Sequence, residues 1–229
     1  MKNLPRPRRR FRPLLLLVLA IASALLGEPR SQALAQVVAC GTTADTPVRI
    51  ENATDALALG AAVNCADGGA VQAVWAGMVP LDAPISIGPG TFLSITGQDS
   101  FAEVQGGSQI RLFQVSPSGG LELNHLKLSG GSAASGGAIH STSAAVTLDG
   151  CVFDGNDATA GDGGAVWAEG GELTIVGGEF SDNSATGNGG AVLAVDAQVV
   201  IQDGTLFEEN TAALEGGALH CGGSGNSTA

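Results

Sequence analysis

The sequence predicts an all-β chain: a parallel β-helix solenoid with a capping helix at its N-terminal end and an uncapped C-terminal end. Three observations carry the prediction. Gly-Gly-Ala begins at Gly136, Gly163, Gly189 and Gly216, at spacings of 27, 26 and 27 residues. Phe-x-x-Asn recurs at Phe153/Asn156, Phe180/Asn183 and Phe207/Asn210, 27 residues apart each time. Between the motifs stand the pairs Val146/Leu148, Leu173/Ile175 and Val199/Ile201, which alternate with polar or small residues as strands with one buried face do.

A period near 27 with two or three short strands per repeat makes each repeat one coil of a solenoid. Equivalent residues then stack about 4.8 Å apart along the axis. Ile139, Val166, Val192 and Leu219 form one interior column, and Phe153, Phe180 and Phe207 another. Asn156, Asn183 and Asn210 form a turn ladder whose amides hydrogen-bond from coil to coil. Gly150, Gly177 and Gly204 supply turn conformations. A leucine-rich repeat is excluded, because no helix of about ten residues fits between these strands.

Composition agrees with an ordered domain. The chain has 229 residues, 35 of them glycine, with 44% apolar content. Without a Gly-X-Y period that glycine load excludes collagen, and the apolar content argues against disorder.

The division is a signal peptide at 1–35, an N-terminal cap segment at 36–66 and the β-helix at 67–229, with regular coils from about residue 136. The leader shows a basic start, the apolar run Leu14 to Gly27, and Ala33 to Ala35 as the cleavage pattern before Gln36. The run is short for a spanning helix, so no membrane span is expected after cleavage. "VVAC" at Val37 to Cys40 resembles a lipobox, but a polar stretch separates it from the apolar run.

In the cap segment, Asn52, Thr54 or Asp55 is the candidate N-cap of an alanine-rich helix covering the first coil. Val79, Leu81, Ile85, Ile87, Leu93, Ile95, Leu121 and Leu123 are the expected interior of the less regular opening coils.

Cleavage of the leader leaves three cations, Arg49, Arg111 and Lys127, against 21 acids, a formal net charge of −18. Nucleic acid and anionic lipid are therefore not expected partners.

The Gly-Gly-Ala-aliphatic and Phe-x-x-Asn units from Gly136 to Leu219 resemble the repeat of the polymorphic outer membrane proteins of chlamydiae. The resemblance implies a right-handed parallel β-helix of the pectin-lyase-like type, displayed at a cell surface. In that family the β-helix continues into a membrane β-barrel. Here the sequence stops in the middle of a coil, so the expectation is a missing C-terminal region, self-association or another partner at the open end.

Four cysteines in an exported chain point to disulfides. Cys40 and Cys65 flank the cap helix and form the expected pair. Cys151 and Cys221 lie three coils apart, roughly 14 Å, too far to bridge. His140, Trp167, Leu193 and His220 share an outward column, and the two histidines are too distant to share a metal. Asp154, Asp182, Glu208 and Glu209 would line one turn edge and are the candidate ligands for calcium, the one cofactor considered. Asn52 and Asn226 are glycosylation acceptors in a eukaryotic host.

No catalytic residue is assigned. A lyase-type basic motif, a polygalacturonase-type signature, a Ser-His-Asp set, a P-loop and zinc spacing are all missing. The expected function is a non-catalytic cell-surface or extracellular protein in adhesion or envelope structure, binding a surface receptor or glycan. The alternative is a carbohydrate-active β-helix enzyme, a polysaccharide lyase or glycoside hydrolase, or a degenerate relative.

Overall fold

The computed structural model describes residues 47–66, 68–100, 102–107 and 109–223. Every strand pair in it is parallel, and the strands stack in coils. On one face the strands beginning at Val48, Ala70, Phe92, Gly120, Ile139, Val166 and Gln198 follow one another, so the described residues make about seven turns. The register reproduces the sequence columns. Ile139 pairs with Val166, Val166 with Val192 and Val192 with Leu219, while Phe153, Phe180 and Phe207 pair in turn.

A regular coil is four-sided. The strand Ile139–Asp149 covers two sides, and Val152–Asp154 and Asp157–Ala158 supply the others. It turns its corner at Ser143, where φ is +47°. The next coils turn at Gly170 and Asp196 in the same way. Each remaining corner likewise has a column of positive φ. One holds His125, Gly150 and Gly177, and another holds Gly130, Gly155, Asp182 and Glu209.

The fourth corner is the Gly-Gly-Ala turn, and it explains why the phrase restarts with each coil. Its first glycines, Gly136, Gly163, Gly189 and Gly216, have φ between +59° and +64°. The second glycines sit against neighbouring backbone. A Cβ on Gly164 would lie 2.1 Å from the Gly190 carbonyl oxygen, and one on Gly190 would lie 1.9 Å from that of Gly217. No side chain fits at Gly137, Gly164 or Gly190, whereas a Cβ on Gly217, in the last described coil, would meet nothing nearer than 3.7 Å.

The core is the set of inward columns. Val79, Leu81, Ile85, Ile87, Leu93, Ile95, Leu121 and Leu123 are at most 2% exposed. Trp75 is fully buried, and its indole N–H donates to the Glu103 carbonyl at 3.0 Å. Full burial of each such aliphatic or aromatic side chain contributes about 1.5–3 kcal/mol.

The helix α1, Ala53–Cys65, closes the first coil. Asn52 is its N-cap: its side-chain oxygen accepts from the backbone N–H groups of Thr54 and Asp55 at 3.0 and 3.1 Å. Such a cap contributes about 1 kcal/mol. Ala56, Leu59 and Val63, spaced to share one helical face, are buried. They lie on the side that contacts the strands Val48–Ile50, Met78–Leu81 and Ile85–Ile87.

Candidate functional site

The side chains with chemical potential gather on the outside of the strands that follow each Gly-Gly-Ala turn. Gln114, His140, Trp167, Leu193 and His220 succeed one another in register there. The column is less open than an outward face implies. The His140 and Trp167 rings stack at 4.1 Å with planes 18° apart, and Leu193 is only 4% exposed. The expectation of free surface histidines is therefore corrected for His140. Its ring is half-buried, and one face of the Trp167 indole is stacked on it.

A chain of polar contacts leads into this stack. Arg111 donates from Nη1 to Gln114 Oε1 at 2.5 Å, and Gln114 Nε2 meets His140 Nδ1 at 3.1 Å. With its carbonyl oxygen held by Arg111, the Gln114 amide presents N–H groups to His140, so Nδ1 must be an unprotonated acceptor. Burial and the nearby guanidinium together lower the His140 pKa to about 4. Arg111 itself is half-buried, which pushes its pKa below the usual value.

Arg111 also bonds backbone, through Nε to the Gly136 carbonyl at 3.1 Å and through Nη2 to the Ser135 carbonyl at 2.6 Å. In the next coil the corresponding carbonyls of Gly163 and Asp162 accept from the Gly136 N–H. The coil containing Arg111 has no such glycine turn. The guanidinium thus supplies the donors that a regular corner would have supplied.

Beside this column runs a second ladder, which sequence reasoning missed. Ser135, Asp162, Asn188 and Glu215 each precede a Gly-Gly-Ala. The Ser135 hydroxyl oxygen accepts from the Asp162 N–H at 3.2 Å. Asp162 Oδ1 accepts from the Asn188 N–H at 2.7 Å, and Asn188 Oδ1 from the Glu215 N–H at 3.0 Å. The signal was available as an oxygen-bearing side chain before every such turn, but four different residue types disguised it.

The four candidate calcium ligands do not form one row. Asp154 and Glu208 share a column but are separated by Ser181. Asp182 and Glu209 occupy the adjoining corner with positive φ, where the earlier coils have glycine. Asp154 takes Lys127 Nζ at 2.8 Å, and this hydrogen bond raises the Lys127 pKa. Among the described residues no three His, Cys, Asp or Glu side chains converge as a metal-ion site.

The other candidates are accounted for by local geometry. Arg49 pairs with Glu51 and Gln98. The Ser184 hydroxyl donates to Asp157 Oδ1 at 2.6 Å within the coil stack. Cys151 is free and buried, with its thiol pushed up to about 11 by burial, and Cys221 is free and exposed. Cys65 is disulfide-bonded. Its expected partner Cys40, the signal segment and Asn226 lie outside the described residues. Both ends of the Asn52 amide are engaged, since Nδ2 also donates to Asp55 Oδ2 at 2.9 Å.

Inside the coils the asparagines form a continuous ladder. Asn156 and Asn183 are fully buried, and Asn183 Nδ2 donates to Asn210 Oδ1 at 2.9 Å and to the Phe153 carbonyl at 3.0 Å. The rings of Phe153, Phe180 and Phe207 stack at 4.6 and 5.0 Å.

Residues 177–195 and 204–222 match the family model of the Chlamydia polymorphic membrane protein repeat. Each matched segment runs from the Phe-x-x-Asn strand through the Gly-Gly-Ala turn into the strand that follows it. No curated protein and no solved structure matches the chain. Among the described residues no helix is long and apolar enough to cross a membrane. The chain thus carries a polymorphic membrane protein repeat on a parallel β-helix.

Proposed function

We propose that this chain is an exported, non-catalytic β-helix that acts at a cell surface, in adhesion or envelope structure. The repeat it carries is that of a membrane protein family of chlamydiae, and this supports a surface location. The observation that carries the non-catalytic part is how its reactive side chains are used. All three cations of the described residues are tied down: Arg49 by Glu51, Lys127 by Asp154 and Arg111 by backbone carbonyls. A basic group acting as a proton acceptor needs a pKa near working pH, and Lys127 is shifted the other way. Trp167 and His140 each stack one ring face on the other.

Incubation with host cells and with a polysaccharide panel tests the reading. Retention on cells or immobilised glycans without reducing-sugar release or unsaturated product is the expected result. Turnover of any polysaccharide would replace it with a carbohydrate-active enzyme.

A further inference from the structure

Arg111 closes a corner of the solenoid that backbone closes in the later coils. There the carbonyls of Asp162 and Gly163 accept from the Gly136 N–H. Those of Asn188 and Gly189 accept from the Gly163 and Gly164 N–H groups, and those of Glu215 and Gly216 from the Gly189 and Gly190 N–H groups. The equivalent carbonyls of Ser135 and Gly136 take no backbone donor among the described residues and accept from Arg111 instead. A corner closed by a side chain can be opened by one, and the contacts that steady Arg111 lead through Gln114 to His140.

The His140 ring stands between two neutral groups, Gln114 in the coil before it and Trp167 in the coil after. Arg111 is the charge that acts on it. The acids of the following coil are placed otherwise: Glu169 is in register with Thr142, and Asp162 accepts from Asn188. A proton on this ring therefore adds a second positive charge beside the guanidinium.

We infer that these contacts form an acid-sensitive latch, in which a proton on His140 opens the Ser135–Gly136 corner while the corners of the later coils stay closed. A protonated Nδ1 is a donor, and Gln114 can accept from it only by turning its amide oxygen away from Arg111. The turned amide sets its N–H groups against the guanidinium. Arg111 then has no acceptor there and leaves both carbonyls, so the corner keeps only the Leu112 and Phe113 N–H groups on the Ala138 carbonyl. Linkage gives the sign. The closed ring binds a proton only near pH 4 and the released ring near the ordinary 6.5, so the open corner holds more protons and gains weight as pH falls between those values.

Hydrogen exchange of the folded chain, followed residue by residue by NMR at about pH 6.5 and about pH 4.5 and corrected for intrinsic exchange, tests the latch. The Gly136 N–H belongs to the same peptide unit as the Ser135 carbonyl and reports its release. The amides of Leu112, Phe113 and Gly136 should exchange about tenfold or more faster at the lower pH, and those of Gly163 and Gly189 should not. In His140→Gln, whose amide oxygen accepts from Gln114 and takes no proton, the acid response should vanish. In Arg111→Ala the same three amides should exchange fast already at the higher pH. Equal acceleration at all the corners, none at Leu112, Phe113 and Gly136, a response kept in His140→Gln, or slow exchange in Arg111→Ala overturns the proposal. If a variant unfolds, the comparison of corners within the parent decides.

Discussion

Asn183 Oδ1 accepts two hydrogen bonds from Asn156, one from its backbone N–H and one from its Nδ2, each at 3.0 Å. One amide oxygen thus serves both donors of the coil before it, in a site shut off from water. Asn183→Ala would orphan those donors and the Phe153 carbonyl. At about 1–3 kcal/mol for each buried unsatisfied group, a loss of roughly 3 kcal/mol is expected. Urea unfolding would read it as a lower midpoint, and a shift under about 1 kcal/mol would show that water replaces the ladder.

The phenylalanine column predicts a gradient. Phe180 is 1% exposed between two stacked rings, whereas Phe207 has a ring on one side and only partial burial. Phe180→Ala is expected to cost about 3–5 kcal/mol and Phe207→Ala clearly less, because Phe207 is only partly buried among the described residues and gives up less packing. Equal losses in paired thermal melts would mean that the last coil is covered in solution.

Much of this fold was readable because interior columns tolerate few residue types. A fully enclosed corner admits only glycine, and a buried ladder needs a side chain that both donates and accepts, so Gly-Gly-Ala and Phe-x-x-Asn recur visibly. The corner at Ser143, Gly170 and Asp196 was not readable, since positive φ is open to glycine and accessible at some cost to serine and aspartate. The Ser135, Asp162, Asn188 and Glu215 ladder was hidden similarly, because any acceptor oxygen suffices there. Two readings were less complete than the structure. Alternation gives the outward side of the histidine column but not the ring that packs against His140, and position beside the asparagine ladder puts the acids near one corner without showing that they divide between two adjoining columns. Nothing in the sequence marked Arg111 as the donor for a neighbouring coil's corner.

Arg111→Lys tests that assignment. The guanidinium reaches Ser135 O, Gly136 O and Gln114 at once, and a single ammonium cannot span the three. A loss of about 2 kcal/mol is expected, close to that of Arg111→Ala, with the excess over a lost surface charge coming from the uncapped carbonyls. Full rescue of the alanine variant by lysine, in equilibrium unfolding, would assign Arg111 a merely electrostatic role.

His140 gives the chain an acid sensitivity whose sign follows from its lowered pKa of about 4. The unfolded chain, with an ordinary histidine near 6.5, binds a proton first as pH falls. Between pH 6.5 and about 4 the unfolded state therefore holds more protons, and stability drops with acidification across that window; below it the drop from this residue stops. After allowance for partial solvent screening the loss is about 2 kcal/mol. Protonation would also set an N–H against the Gln114 amide N–H, forcing that amide to turn and release Arg111. His140→Gln should flatten the stability curve between pH 6.5 and 4.5 relative to the parent, while the carboxylate-driven fall at lower pH is shared by both. If the imidazole signal missing from His140→Gln titrates near 6.5 in a pH series of NMR spectra of the parent, the His140 ring leaves the stack in solution.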